Sequence, residues 1–300
     1  MSEKLISVIM PAFNAEKYIG KALESARAQT YQNWELIVTI DGGTDATGRM
    51  VSEFAQQTPH HVTLFEHAQS QGPSVARNTA MKAAKGEYIA FLDADDIWMP
   101  EHLNRLCAVL ASGKADLAYS NYYVFGETAS GEMEALPHDN AEMKNPRQDL
   151  FRRNLINPSG AAITRRLMEQ VGDFIPGGVE DLDYWIRSAT LGFEIASTGE
   201  QTYYYRKSAD SKTAAVAEIA EALGTVLLRH RRCGILPEKE ILANARSCFF
   251  SAGRLHWRKD PMAASRAFLR AWTLGRAHLL PLTCAVAMAG LSLVRPHRAR

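Results

Sequence analysis

The chain has 300 residues, 34 Lys and Arg against 33 Asp and Glu, a formal net charge of +1 and 46% hydrophobic residues. That composition belongs to an ordinary globular protein long enough for a sizeable core, and it excludes the disordered and fibrous classes. The near-neutral total hides two opposed parts: residues 1–205 hold 17 basic and 27 acidic residues, a net of −10, and residues 206–300 hold 17 and 6, a net of +11.

An acidic part can carry a metal site. A basic part suits an anionic surface such as a membrane leaflet or nucleic acid, or is a set of solvated helix faces. Lys and Arg are dispersed and no recognised nucleic-acid motif occurs, so no nucleic-acid partner is expected. Cys107, Cys233, Cys248 and Cys284 show neither CxxC pairing nor metal spacing. They read as buried or incidental thiols of a reducing compartment. Met1-Ser2-Glu3-Lys4 leads straight into an apolar run with no secretory leader, so a cytoplasmic location is expected.

Leu5–Met10 reads as a buried strand, and the spacing of Tyr18, Ile19, Ala22, Leu23 and Ala26 predicts a helix over 15–29. Glu35–Ile40 is a second strand, after which Thr44 or Asp45 can cap a helix. His61–Phe65 is a third strand, and Gly72-Pro73 opens a helix to Ala84. Glu87–Leu92 is a fourth strand, with Pro100 expected as the first residue of the next helix. Alternating strands and helices imply a mostly parallel α/β sheet flanked by helices.

Further on, Asp116–Val124, Ala161–Thr164 and Thr202–Arg206 read as strands, Val179–Leu191 as a helix, and the polar stretch 129–145 as a mobile loop. Beyond Ser208 the chain reads as all helical, over 214–232, 238–257 and 261–276. Leu279–Val294 is a last apolar segment followed by Arg295, Arg298 and Arg300. It falls short of the roughly 20 residues that span a bilayer. It is expected to be a core helix or a helix lying on a membrane surface, and the latter would give the basic region peripheral membrane contact. The expected division is a catalytic domain over 1–206 and a basic helical region over 207–300.

The chemistry gathers where strands end. Leu92-Asp93-Ala94-Asp95-Asp96 closes the fourth strand with three carboxylates. Hard oxygen ligands in that position suit Mn²⁺ or Mg²⁺ bridged to a diphosphate. Pro11, Ala12, Phe13 and Asn14 close the first strand, Asp41 closes the second, and Arg77 lies in the helix after Gly72. A carboxylate such as Asp41 can accept from a nucleobase N–H, a ring such as Phe13 can lie against a base, and Arg77 can approach a diphosphate or hold an acidic neighbour.

Five motifs occur in order: Ser7-Val-Ile-Met-Pro-Ala-Phe-Asn14, Gln29-Thr-Tyr-Gln-Asn-Trp-Glu-Leu-Ile37, Asp41-Gly-Gly-Thr-Asp45, Gly72-Pro-Ser-Val-Ala-Arg-Asn78 and Gly86-Glu-Tyr-Ile-Ala-Phe-Leu-Asp-Ala-Asp-Asp96. Over roughly 4–206 the chain resembles a family 2 glycosyltransferase of the bacterial type with the GT-A fold. The resemblance implies inverting, metal-dependent transfer from a nucleotide-diphosphate sugar, usually a UDP-sugar. The acceptor it implies is a polysaccharide, lipopolysaccharide or glycolipid precursor of the cell envelope. It further implies that Pro11, Phe13 and Asp41 hold the base, Asp93 contacts the ribose, Asp95 ligates the metal and Arg77 approaches the nucleotide.

Gly177-Gly178-Val179-Glu180-Asp181 resembles the family's Glu-Asp motif. It makes Asp181 the candidate base for the acceptor hydroxyl, with Glu180 second. Two positions depart from the pattern. Ile40 stands where the family often has the first of two aspartates, and Lys207 follows Tyr205-Arg206 where a histidine commonly helps the metal. A protonated lysine cannot ligate a metal but can neutralise phosphate. The alternative function is a nucleotide-sugar-binding protein without transferase activity, against which intact Asp93, Asp95 and Asp181 argue.

Overall fold

The computed structural model describes residues 3–127, 133–137, 143–207, 216–257 and 259–275. These fall into two compact units, one holding the chain up to Pro176 with Glu180–Ser208, the other Gly177–Val179 with everything after Ser208. The last apolar segment, 279–294, lies outside the described residues.

The first unit is a nine-stranded sheet in the order β3-β2-β1-β4-β8-β6-β9-β5, with β7 on the side of β6. Its parallel half is β3 (His61–Glu66), β2 (Trp34–Ile40), β1 (Ile6–Ala12) and β4 (Tyr88–Phe91). Every residue of β1, β2 and β4 is buried, as expected of parallel strands covered on both faces. The other half is mixed. β8 (Ala161–Thr164) runs antiparallel to both β4 and β6 (Leu117–Glu127), and β9 (Ile195–Arg206) runs parallel to β6.

Alternation along β1 sends Ile6, Val8 and Met10 into one core with Leu23, Leu36, Leu103 and Leu106. On the opposite face Phe91 meets Phe174 edge-on at 5.6 Å and Trp185 at 6.0 Å. Trp185 belongs to α7 (Glu180–Thr190). This aromatic packing seats α7 across the sheet and thereby sets the position of its first residues.

Several boundaries differ from expectation. Helix α1 starts at Ile19 and ends at Arg27, because the N–H groups of Ala15 and Glu16 are taken by Thr47 Oγ1 and Asp45 Oδ2 at 2.8 and 2.9 Å. The N-cap of α2 (Thr47–Gln57) is Ala46, with no side-chain cap of its own; Asp45 nonetheless accepts from Thr47 N at 3.0 Å. Helix α3 (Pro73–Ala83) follows Gly72 as expected. Pro100 is not the first residue of α4, which runs His102–Ala111. The Pro100 carbonyl is tied back to Thr30 N at 2.9 Å.

Strand β9 is 12 residues long rather than five. Its early half is polar and pairs with β6 through a register shift between Tyr119 and Tyr122, which blurs the alternation that marks a strand. The stretch read as a loop contains strand β7 (Met133–Pro137), antiparallel to β6. The two-residue strand β5 (Ile97–Trp98), and helices α5 (Pro146–Asp149) and α6 (Arg165–Val171), have no separate signal in the sequence.

The second unit is built from α8 (Val216–Arg229), α9 (Glu238–His256) and α10 (Pro261–Thr273), close to the expected helices. Glycines let them approach: a Cβ on Gly224 would lie 2.9 Å from the Phe249 ring, and one on Gly253 would lie 2.7 Å from that of Phe268. Among the described residues no helix is long and apolar enough to cross a membrane.

Candidate active site

The C-terminal ends of β1, β2 and β4 form one rim, the edge at which open α/β sheets bind ligands. Pro11 and Ala12 are the last residues of β1 and are buried. Pro11 fits a central strand because β4 pairs only as far as Ile9. Its missing donor therefore falls where no partner strand remains. Beyond it Phe13 carries its ring into solvent, 54% exposed. Asn14 adopts a left-handed φ of 44°, and its Oδ1 accepts from Thr44 N at 3.0 Å, joining the turns after β1 and β2.

Asp41 is 3% exposed and heavily engaged. Its Oδ2 accepts from Gly72 N at 2.7 Å and Ser70 Oγ at 2.8 Å, and Gln71 N lies 3.0 Å from both oxygens. His67 Nδ1 lies 2.8 Å from Oδ1 and its Nε2 3.0 Å from Thr79 Oγ1. A carboxylate can only accept, so Nδ1–H donates to Asp41, while Nε2 shares a hydrogen bond with the Thr79 hydroxyl. Burial alone would raise the Asp41 pKa. The donors from Gln71, His67, Ser70 and Gly72 outweigh burial and hold it below the ordinary value.

The geometry thus makes Asp41 the anchor of the 67–72 loop, and a base N–H reaching it would have to share oxygens already in use. Gly42 completes this junction with φ 75°, and a Cβ there would lie 2.4 Å from Ser70 N. Gly42→Ala is expected to cost about 1–3 kcal/mol from the left-handed backbone alone, with the backbone clash added. A lowered melting temperature, with faster amide exchange confined to the turns around 41 and 70, would show it; an unshifted melt would contradict the junction.

The acidic turn after β4 holds three carboxylates in three environments. Asp93 accepts from Arg77 Nη2 at 2.7 Å, and its own N–H donates to Ser159 Oγ at 3.0 Å. Asp96 is buried and accepts from Arg206 N at 2.8 Å. Burial, then the neighbouring Asp95 and Asp93, push the Asp96 carboxyl well above its ordinary value. Asp95 has its carbonyl oxygen bound by Arg206 Nε at 2.8 Å. Burial first, and the adjacent Asp93 charge second, push its carboxyl up to about 6. The Arg206 guanidinium lies between the rings of Tyr18 at 4.5 Å and Phe125 at 4.3 Å, so the group that shapes the turn is itself held in place.

Arg77, 4% exposed, joins the two sides of the site. Its Nη2 meets Asp93 and its Nη1 meets Glu180 Oε1 at 3.0 Å, while the guanidinium lies 5.7 Å from the Phe174 ring centre. Burial works against its charge, but Asp93 and Glu180 outweigh that and raise its pKa above the ordinary value. The neighbouring Asn78 fixes Phe174 by accepting from its N–H at 2.8 Å and donating to its carbonyl at 2.9 Å. Arg77 is therefore engaged with acidic neighbours, the second of the two roles its position allowed.

Glu180 and Asp181 open α7. Asp181 Oδ2 accepts from Asn154 Nδ2 at 2.9 Å. Burial raises the Asp181 pKa above the ordinary carboxylate value, with Asn154 and Arg77 opposing and Glu180 adding to the rise. Arg77 thus links the acidic turn after β4 directly to the helix that carries Asp181.

A divalent cation fits the turn. Asp95 and Asp93 are neighbouring carboxylates whose mutual repulsion a cation would relieve. Among the described residues no three His, Cys, Asp or Glu side chains gather as a metal cage. One or two carboxylates completed by substrate phosphates is the donor set that Mg²⁺ ordinarily accepts. Lys207, whose backbone N–H is bound to Phe125 O at 2.8 Å, adds no metal ligand.

Sequence reasoning did not single out His67, Asn154 or Ser159, and it noted Arg206 only for the motif around it. His67 carries a weak signal as the first residue beyond β3. Asn154 and Ser159 lie in irregular chain and have none.

A family model described as glycosyl transferase family 2 matches residues 7–171. The Escherichia coli protein WfgD, a UDP-Glc:alpha-D-GlcNAc-diphosphoundecaprenol beta-1,3-glucosyltransferase, is 37% identical over 129 residues, 43% of this chain and 50% of WfgD. WfaP, an Escherichia coli protein of the same description, is 28% identical over 216 residues, 70% of this chain and 80% of WfaP. The match to WfgD thus spans half of that protein's length.

Among solved structures, S. aureus TarS 1–349 in complex with UDP-GlcNAc superposes with a TM-score of 0.70 at 18% identity, over 98% of this chain and 93% of that one. The mannosyltransferase PcManGT from Pyrobaculum calidifontis, in complex with GDP-Man and Mn²⁺, superposes with a TM-score of 0.67 at 20% identity, over 99% and 83%. With these the chain shares the GT-A fold, a mostly parallel sheet flanked by helices.

Proposed function

Since the chain belongs to glycosyl transferase family 2, we propose that it moves a sugar, with inversion, from a nucleotide-diphosphate sugar to a hydroxyl of a glycan or lipid-linked precursor of the cell envelope. The observation that carries this reading is the Arg77 link, a single buried guanidinium bound to Asp93 of the donor rim and Glu180 beside Asp181. It brings a candidate base and a candidate leaving-group site into one constellation. A UDP-sugar is the favoured donor, supported by UDP-glucose in the names of WfgD and WfaP and by UDP-GlcNAc in the TarS complex. A lipid-linked acceptor is supported by the diphosphoundecaprenol substrate those two names carry.

In this reading Phe13 lies against the base, and Pro11, Ala12 and Asn14 shape the rim below it. Asp41 holds the 67–72 loop that borders the nucleotide, and Asp93 meets the ribose. Asp95 would hold Mn²⁺ or Mg²⁺, which would neutralise the departing diphosphate. Asp181 takes the proton of the acceptor hydroxyl as that oxygen attacks the anomeric carbon. Lys207 adds positive charge for the phosphates, and Arg77 holds Asp93 and Glu180 in place. Residues 1–206 act as the catalytic domain. The excess of basic residues after 205 suits the anionic surface at which a lipid-linked acceptor resides, on the cytoplasmic face.

Calorimetric binding of UDP-, GDP- and dTDP-sugars, with and without Mn²⁺, tests the reading. Mn²⁺-dependent binding of the UDP class is expected. No binding to any of them by folded protein would overturn it, and binding without turnover on any acceptor would establish the inactive binding protein instead. Asp95→Ala is expected to remove the Mn²⁺ dependence of donor binding. It should also lower turnover by about 10²-fold or more, the scale of several kcal/mol of leaving-group stabilisation. Wild-type turnover in that variant would refute the metal assignment.

A further inference from the structure

Asn154 lies in irregular chain between α5 and the short 3-10 turn Pro158–Gly160 that precedes β8. Its amide nitrogen donates to Asp181 Oδ2 at 2.9 Å. Its amide oxygen is buried and has no hydrogen-bond partner among the described residues. Turning the amide over would set that oxygen against the carboxylate, two acceptors face to face. The orientation of Asn154 is therefore dictated by Asp181 and kept at the expense of its own carbonyl, the kind of sacrifice that functional sites make.

The other groups acting on this carboxylate are Glu180 and the Leu182 N–H from α7 and Arg77 from α3. Arg77 is committed to Asp93 and Glu180. Asn154 is therefore the side chain whose described hydrogen bond goes to Asp181 alone.

We propose that Asn154 is a positioning residue for the transfer, fixing Oδ2 of Asp181 so that Oδ1 is the oxygen presented to the acceptor. The inference rests on the reading of Asp181 as base. In the step it serves, the acceptor O–H breaks and its proton goes to Asp181 Oδ1. The freed electron pair forms the new bond to the anomeric carbon, and the bond from that carbon to the diphosphate oxygen breaks, leaving its pair on the nucleoside diphosphate.

The test is a ¹³C-carboxyl NMR titration of the full chain, with the Asp181 signal identified through D181N. Removing a donor to the charged form should raise the Asp181 midpoint by about one pH unit in N154A, and the nearly isosteric N154D should raise it further by adding a carboxylate. N154D also guards against failure of N154A to fold. Turnover of the nucleotide sugar that binds should fall by about 10- to 10²-fold in N154A with donor KM unchanged.

An unmoved midpoint in either folded variant overturns the inference. The two readings fail separately. Wild-type turnover in D181N removes the base assignment, whereas an inactive D181N beside an unmoved titration in N154A removes the Asn154 role alone.

Discussion

Arg77→Met is expected to destabilise the protein by about 3–5 kcal/mol, the cost of removing one partner from a buried ion pair. Methionine preserves much of the apolar stem, so the loss reports the charge. Arg77 is 5% exposed at its side chain and faces Glu180, which is 10% exposed, as well as Asp93, which is 26% exposed. Without the guanidinium, both carboxylates stay in a setting that penalises their charge, and the more deeply buried Glu180 carries most of the penalty. The double variant Arg77→Met, Glu180→Gln should recover part of the loss, because it removes the carboxylate left uncompensated. Denaturant unfolding of the two variants checks this. Equal stability of single variant and wild type would show that the pairing does not support the fold.

Asp181→Asn is expected to lower turnover by about 10²-fold or more, the ordinary contribution of a positioned base, while donor binding stays near normal. Asparagine keeps the shape, but its amide has no basic oxygen to take a proton. The pH profile adds a sign. Burial raises the Asp181 pKa, and the base works only when deprotonated. Activity should therefore fall as pH drops through a value above the ordinary carboxylate range, and that acid limb should vanish in the variant. Parallel turnover profiles and calorimetric donor binding decide the matter. A collapse of donor binding would make Asp181 part of the donor site instead.

The parallel half of the sheet was legible because β1, β2 and β4 are buried on both faces and so read as unbroken apolar runs ending in turn residues. The rim followed, since strand ends of a parallel sheet gather on one edge. The partners of the rim residues were not legible. Asp41 offered itself as a free acceptor, yet its oxygens are taken by residues 67–72, about 30 positions downstream. Nothing in Ser159 or Asn154 announces a bond to Asp93 or Asp181, because irregular chain carries no period from which a direction can be read. β9 was half visible for a related reason: Thr198 to Gln201 is polar, and its register shift breaks the alternation.

The tie between Arg206 and the acidic turn spans 110 positions of chain. The Asp93–Asp96 loop therefore cannot be braced by this residue until the end of β9 has been made. During synthesis, β1 to β4 emerge and can pair while the carboxylates they present still lack both Arg206 and, from α7, Glu180. A ribosome-bound chain stopped near residue 190 would lack the strand that shapes the acidic loop at the rim of β1, β2 and β4. The acidic loop is then completed among the last parts of its unit to be made, although its own residues are in the first third of the chain.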